Sequence, residues 1–203
     1  MPVKETKFLG LIIDKKLSWK EHINYMIPKL SSACYVITTV IPYVSHTTLK
    51  IIYYLYIHCI MNYGILFWSS STESIKIFRL QRRIIRVMMG CKRNQSCRYL
   101  YVKLGILPLH SEYILCLLIS LFKSKHQFPF NTEIHHHATR QQSNFHQLPA
   151  FLTKYQKRIC YVGIKVFNKL PPYIKDEFGN KRNFKRWLKN FLHEKFLPNT
   201  GVL

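Results

Sequence analysis

The sequence predicts a mainly α protein: a helical bundle with one short β-strand at its N-terminus. Apolar residues recur at helical spacing through most of the 203-residue chain, and the one short run with strand character, 7–13, lies at the start. Apolar residues make up 48% of the chain, enough for a packed core and too many for a disordered tail. The length fits one domain or two small ones.

Residues 7–13 (KFLGLII) read as a strand turning at Asp14-Lys15-Lys16. Ser18 and Glu21 are spaced as a capping box, which opens a helix running to about Ile41 and stopped by Pro42. Pro28 removes one backbone donor inside it, so a kink or break is expected there. A second helix is expected over 46–68. Ile51 to Thr72 contains no Lys, Arg, Asp or Glu and is long enough to span a bilayer. His58, Asn62 and Tyr53, Tyr54, Tyr56 and Tyr63 dilute it, so a buried core helix is the reading preferred over a membrane span.

Thr72 and Glu73 open a third helix, with Gly90 beyond its end, and a shorter one over 95–104 stops at Gly105. Pro108 leads into a fifth at about 110–125. Residues 126–150 are polar, with His135, His136, His137, His146 and Gln141-Gln142, and read as a loop or linker. Helical pattern resumes at about 155–169, breaks at Pro171-Pro172, and returns from about 183 to 197. The expected organisation is 1–17 strand and turn, 18–125 helical, 126–150 linker and 151–203 helical.

Lys plus Arg number 31 against 9 Asp plus Glu, a formal charge of +22. Such a surface points to a polyanion, usually nucleic acid and less often an anionic membrane. The aspartates are Asp14 and Asp176; the glutamates are Glu5, Glu21, Glu73, Glu112, Glu133, Glu177 and Glu194. Two-metal phosphoryl transfer needs clustered carboxylates. Only Asp176-Glu177 are adjacent, which argues against a self-contained polymerase or nuclease site unless distant acids converge. Cys34, Cys59, Cys116 and Cys160 lie in apolar segments and read as small hydrophobes. The start lacks the apolar core of a signal peptide, so a reducing intracellular compartment without disulfides is expected.

Two helices gather the positive charge. Lys76, Arg79, Arg82, Arg83 and Arg86 share one face of the third helix, with Ile77, Phe78, Leu80, Ile84, Ile85 and Met88 on the other side. A solvated face with scattered ion pairs is the plainer explanation, but nine acids cannot serve all these cations, and guanidinium forks match phosphate oxygens. In the last helix Phe184, Trp187, Leu188, Phe191 and Leu192 form an apolar stripe, with Lys181, Arg182, Lys185, Arg186 and Lys189 off it. This helix is expected to dock on the core with its basic back outward; lying on a membrane is the alternative. Zinc held by Cys91, Cys97 and the His135–His137 run is disfavoured, because the cysteine spacing is too long and adjacent His side chains diverge.

Phe8-Leu9-Gly10-Leu11-Ile12-Ile13-Asp14, then Leu17-Ser18-Trp19 and His22-Ile23, resemble the FLG-x-x-x-D…L-x-W-x-x-H-I segment of non-LTR (LINE-type, jockey-like) retrotransposon reverse transcriptases. Tyr63-Gly64 with Trp68 is similar to the family's Y-G…W, and Leu80-Gln81-Arg82-Arg83-Ile84-Ile85-Arg86 to its L-Q-r-r-x-x-R helix. Thr139-Arg140 and Phe167-Asn168-Lys169-Leu170-Pro171 resemble its T-R…W-N-x-L-P tail, with Phe167 where tryptophan is common; Phe184-Lys185 fits the closing segment. The resemblance covers nearly the whole chain in order and spacing.

It implies a last palm strand, a thumb-like region over 18–125 and the region beyond. The family's catalytic aspartates, which bind Mg2+, precede the FLG strand, where this sequence has seven residues before Phe8. The position of Asp14 is not a metal ligand in the family. The expectation is therefore a polymerase remnant with no catalytic residue, metal or cofactor of its own, retaining non-specific RNA or DNA backbone binding through the two basic helices. Alternatives are part of a longer active enzyme whose palm is encoded upstream or supplied in trans, and a membrane-associated basic protein, the less favoured. Nuclear location follows only from the resemblance. A lone strand with an open edge predicts poor solubility.

Overall fold

The computed structural model describes residues 5–134, 143–147, 149 and 158–195. His135 to His137, Thr139-Arg140, Gln141-Gln142, the start of the helix expected at 155 and the end of the one expected at 197 lie outside them. The fold is mainly α with a short β element, as expected. It divides into two compact units, the first running to Glu112 and the second spanning Tyr113–Lys195.

In the first unit the expected single strand is a hairpin. Strands β1 (Glu5–Phe8) and β2 (Leu11–Asp14) pair antiparallel, with Phe8 opposite Leu11. Leu9 (φ 45°) and Gly10 (φ 79°) form the two-residue turn, whose positive φ angles match the twist of the strands. Two glycines then let the hairpin close on the chain at Tyr63-Gly64. Gly10 lies against the Tyr63 ring, whose hydroxyl donates to the Leu9 carbonyl. A Cβ on Gly64 (φ 62°) would meet Leu11 Cδ2 at 2.7 Å. The FLG and Y-G motifs are thus two halves of one contact.

Helix α1 (Lys20–Val40) follows, but not through the Ser18/Glu21 box. Asp14 takes over: its carboxylate accepts from Lys16 N (2.9 Å), Ser18 N (3.0 Å), Ser18 Oγ (2.8 Å) and Trp19 N (3.0 Å). These bonds, the Ser18 N–H first, hold the carboxyl below its usual range. Leu17 (φ 53°) and Trp19 (φ 61°) are left-handed here, so the box cannot form. The expected break at Pro28 does not interrupt α1. Pro28 and Asn24 are exposed, so solvent can reach the Asn24 carbonyl that lacks the Pro28 donor.

The helix expected over 46–68 runs unbroken from His46 to Asn62 as α2 (His46–Ile52), a π segment (Tyr53–His58) and α3 (Cys59–Asn62), and is interrupted only at Tyr63-Gly64 before α4 (Ile65–Trp68). Leu49, Tyr53, Ile57, Met61, Ile65 and Trp68 face inward. A strict four-residue period drifts by about 40° per step on an α-helix, and the widened π turn takes up the drift. Gly64, at positive φ, then separates α3 from α4. Ile51, Leu55, Tyr56, Tyr63 and Phe67 remain exposed. No single helix among the described residues is long and apolar enough to cross a membrane; the pair α6 (Arg98–Leu104) and α7 (Leu109–Lys123), bent by 53°, passes by length and composition only.

Helix α5 (Ser74–Met88) packs on α1 and ends before Gly90. Buried Gln81 organises this region. Its Nε2 donates to Tyr53 Oη (2.9 Å) and Leu107 O (3.0 Å), and its Oε1 accepts from Tyr101 Oη (3.1 Å) and Leu109 N (2.9 Å). All four bonding positions of the amide are filled. Burial pushes both phenols up.

The second unit contains the rest of α7, α8 (Asn131–Ile134), α9 (Ile159–Asn168), α10 (Pro172–Lys175) and α11 (Lys181–Lys195). Its core is aromatic. Phe145 stacks on Phe130 (centroids 4.3 Å apart) and touches Phe167 (4.8 Å) and Phe178 (5.5 Å). The segment read as a polar linker therefore supplies a core residue, Phe145. The Asn168 side chain accepts from Phe145 N and donates to Phe145 O, both at 2.9 Å, as a strand neighbour would.

Candidate nucleic-acid interface

Helix α5 places its cations opposite the side buried by Ile77, Gln81, Ile84, Ile85 and Met88. The five residues singled out do not behave alike. Lys76 is held by Glu73 at 2.6 Å. Arg86 is half-buried, and its Nε donates to the Gln95 carbonyl (2.8 Å), tying down the loop after α5. Arg82 lies over the Phe78 ring with its guanidinium carbon 5.8 Å from the centroid. Arg79 and Arg83 are exposed. Arg79, Arg82 and Arg83 have no ion-pair partner among the described residues. The helix therefore offers three guanidinium groups for an external anion, rather than five cations.

In the second unit, α11 starts at Asn180, whose Oδ1 accepts from Arg182 N (3.0 Å) and Asn183 N (3.3 Å). This cap was legible as an Asn before a helical pattern. Phe184, Leu188, Phe191 and Leu192 are buried as expected, with Lys181, Arg182, Lys185 and Arg186 exposed and Lys189 half-buried. Trp187 departs from the expected stripe: it is 40% exposed, because the core is already closed by phenylalanines.

The Mg2+ that the resemblance implies for a polymerase finds no fit here. Among the described residues no three His, Cys, Asp or Glu side chains are placed to hold a metal ion. Asp14 is occupied by the turn, and Asp176 and Glu177 lie on a 3-10 turn. Cys97 is buried, donating to the Arg82 carbonyl (3.5 Å), whereas Cys59 and Cys160, read as apolar fillers, are exposed.

Two histidines shifted by burial carry no signal in the sequence pattern. His22 is 3% exposed and its Nδ1 accepts from Ile12 N at 3.4 Å, leaving the ring proton on Nε2, a buried atom without a hydrogen-bond partner. Burial, helped by the nearby Lys29 charge, pushes its pKa down. Burial does the same to His110. The unfolded histidine titrates near 6.5, so below that pH the unfolded chain binds more protons than the native one. Native stability is therefore expected to be complete above pH 6.5 and to decline as pH falls toward the depressed native values. Thermal melts at pH 7.5 and pH 5.5 check this; His22→Phe should shrink the difference between them.

No family model matches the chain, and no curated protein or solved structure matches it.

Proposed function

We propose that this chain binds the sugar–phosphate backbone of RNA or DNA without sequence preference, as the thumb-like and following region of a non-LTR retrotransposon reverse transcriptase. The observation that carries the binding is the row Arg79, Arg82, Arg83 on a core-docked helix, with no carboxylate paired to any of the three among the described residues. Such a row releases counterions when phosphates replace them, so affinity comes from charge and falls with salt. The ancestry rests on the ordered resemblance of the sequence motifs, several of whose residues meet in the fold. Gly10 meets Tyr63, Gly64 meets Leu11, Gln81 ties a buried network and Asn168 clamps Phe145.

The test is a titration with RNA, DNA and a hybrid duplex at several salt concentrations. Log affinity should fall linearly with log salt. Replacing Arg79, Arg82 and Arg83 together by Ala should reduce the slope by roughly 2 to 3. Salt-independent binding, or none, ends the proposal.

A longer enzyme with a palm supplied upstream or in trans is the second reading. It is favoured by the exposed outer strand β1 and by exposed Phe8, Leu9 and Leu17 at the hairpin. Primer extension with Mg2+ separates the two: extension that appears only when a palm fragment carrying the paired aspartates is added favours the second reading, none in its presence favours backbone binding alone, and extension by this chain unaided contradicts both.

A further inference from the structure

Trp187 and Tyr173 are large rings left in solvent where a core place was open to neither. Trp187 is 40% exposed on α11 and Tyr173 is 49% exposed on α10, and they meet edge to face with centroids 6.1 Å apart. Within the same unit Phe167 and Phe184 are fully buried, so the pair is not core filler displaced by a loose fold.

The position of Trp187 on α11 is informative. At about 100° per residue it lies roughly a quarter turn from Arg186. Asn183 and Asn190 fall on the strip between Trp187 and that arginine. Around the helix one therefore passes from guanidinium and ammonium groups, through two amides, to an aromatic ring braced by a second ring. A nucleotide has that order of chemistry, from phosphate through sugar and base edge to base face. A protein partner would have to be strongly acidic to approach Lys181, Arg182, Lys185, Arg186 and Lys189, where Glu194 is the only acid on the helix.

We infer that Trp187, braced by Tyr173, is a stacking platform for an unpaired base, and that α11 therefore selects single-stranded nucleic acid. Bases inside a duplex have their faces covered by neighbours, whereas those of a single strand are open to an aromatic ring. The inference rests on the backbone-binding reading above and adds to it the class of strand.

The experiment compares oligo(dT) with an abasic strand of equal length and charge, using the full chain at one fixed salt concentration. Oligo(dT) is expected to bind more tightly and to quench tryptophan emission, and the abasic strand to bind without that quench. Trp187→Ala should weaken oligo(dT) roughly five- to fifty-fold, leave the abasic strand unchanged and keep the same salt slope. Trp187→Phe should recover much of the affinity but lose the quench, and Tyr173→Ala should weaken oligo(dT) by a smaller factor. Equal binding of both strands by the native protein overturns the platform and leaves the backbone reading standing. Loss of both strands equally in Trp187→Ala, or of neither, also overturns it. No binding of either strand to the native protein removes both readings.

Discussion

Replacing Gln81 by Leu is expected to cost the protein about 3–4 kcal/mol of stability, far more than removal of any basic residue beside it. Leu fills a similar volume, so the effect is not a cavity. The loss comes from four groups that end at this amide: Tyr53 Oη, the Leu107 carbonyl, Tyr101 Oη and the Leu109 N–H. Tyr53 and Tyr101 are almost fully buried, so water cannot replace the lost partner. The four groups belong to the π segment, α6 and the turn into α7, so the amide on α5 joins segments that helical spacing alone does not fix. Urea unfolding followed by far-UV circular dichroism measures the loss. Gln81→Glu should destabilise as well, because a carboxylate supplies no donor for Tyr53 Oη and Leu107 O. Arg83→Ala, from the exposed side of the same helix, should leave the midpoint nearly unchanged.

The contrast between α5 and its neighbours shows what the sequence carries openly. Helix α5 is legible because Ile77, Ile84, Ile85 and Met88 repeat at helical spacing with arginines opposite, and Gly90 and Gly105 stop helices where left-handed glycines are expected. The hairpin is hidden because its turn uses Leu9 beside Gly10, and a leucine at positive φ is not a turn signal. It is held there from 54 residues away, by Tyr63. The entry to α1 is misread for a related reason. Ser18 and Glu21 have the local spacing of a cap, but Asp14 already takes the Ser18 hydroxyl and the neighbouring N–H groups. Local patterns predict local structure until a long-range contact or a stronger acceptor competes.

The same holds for the basic residues. Counting acids predicts that most cations go unpaired, and Arg79, Arg82 and Arg83 agree with it, but the count cannot foresee that Arg86 binds a carbonyl instead of a carboxylate. Trp187 fails for the opposite reason. Its spacing places it at the margin of the α11 stripe, and whether a marginal residue is buried depends on how much of the core Phe145, Phe167 and Phe178 already occupy.

That aromatic core yields the second large effect. Phe167→Ala is expected to destabilise by about 3–5 kcal/mol, the cost of emptying a fully buried aromatic site. Phe167 is 0% exposed and touches Phe145 (4.8 Å) and Phe178 (4.6 Å) at once. The rings meet at steep angles, so none can slide into the vacancy without losing another edge-to-face contact. Phe145 is the neighbour most affected, because it belongs to a short segment fixed by the Asn168 amide and by stacking on Phe130. Asn168→Ala should therefore weaken the same place by a different route, at about 1–3 kcal/mol for two backbone groups left without their partner. If both residues hold Phe145, the double variant should lose less than the sum of the two single losses, since the second change acts on a segment already released. Strict additivity in denaturant midpoints would mean that Phe167 and Asn168 act on separate parts of the unit.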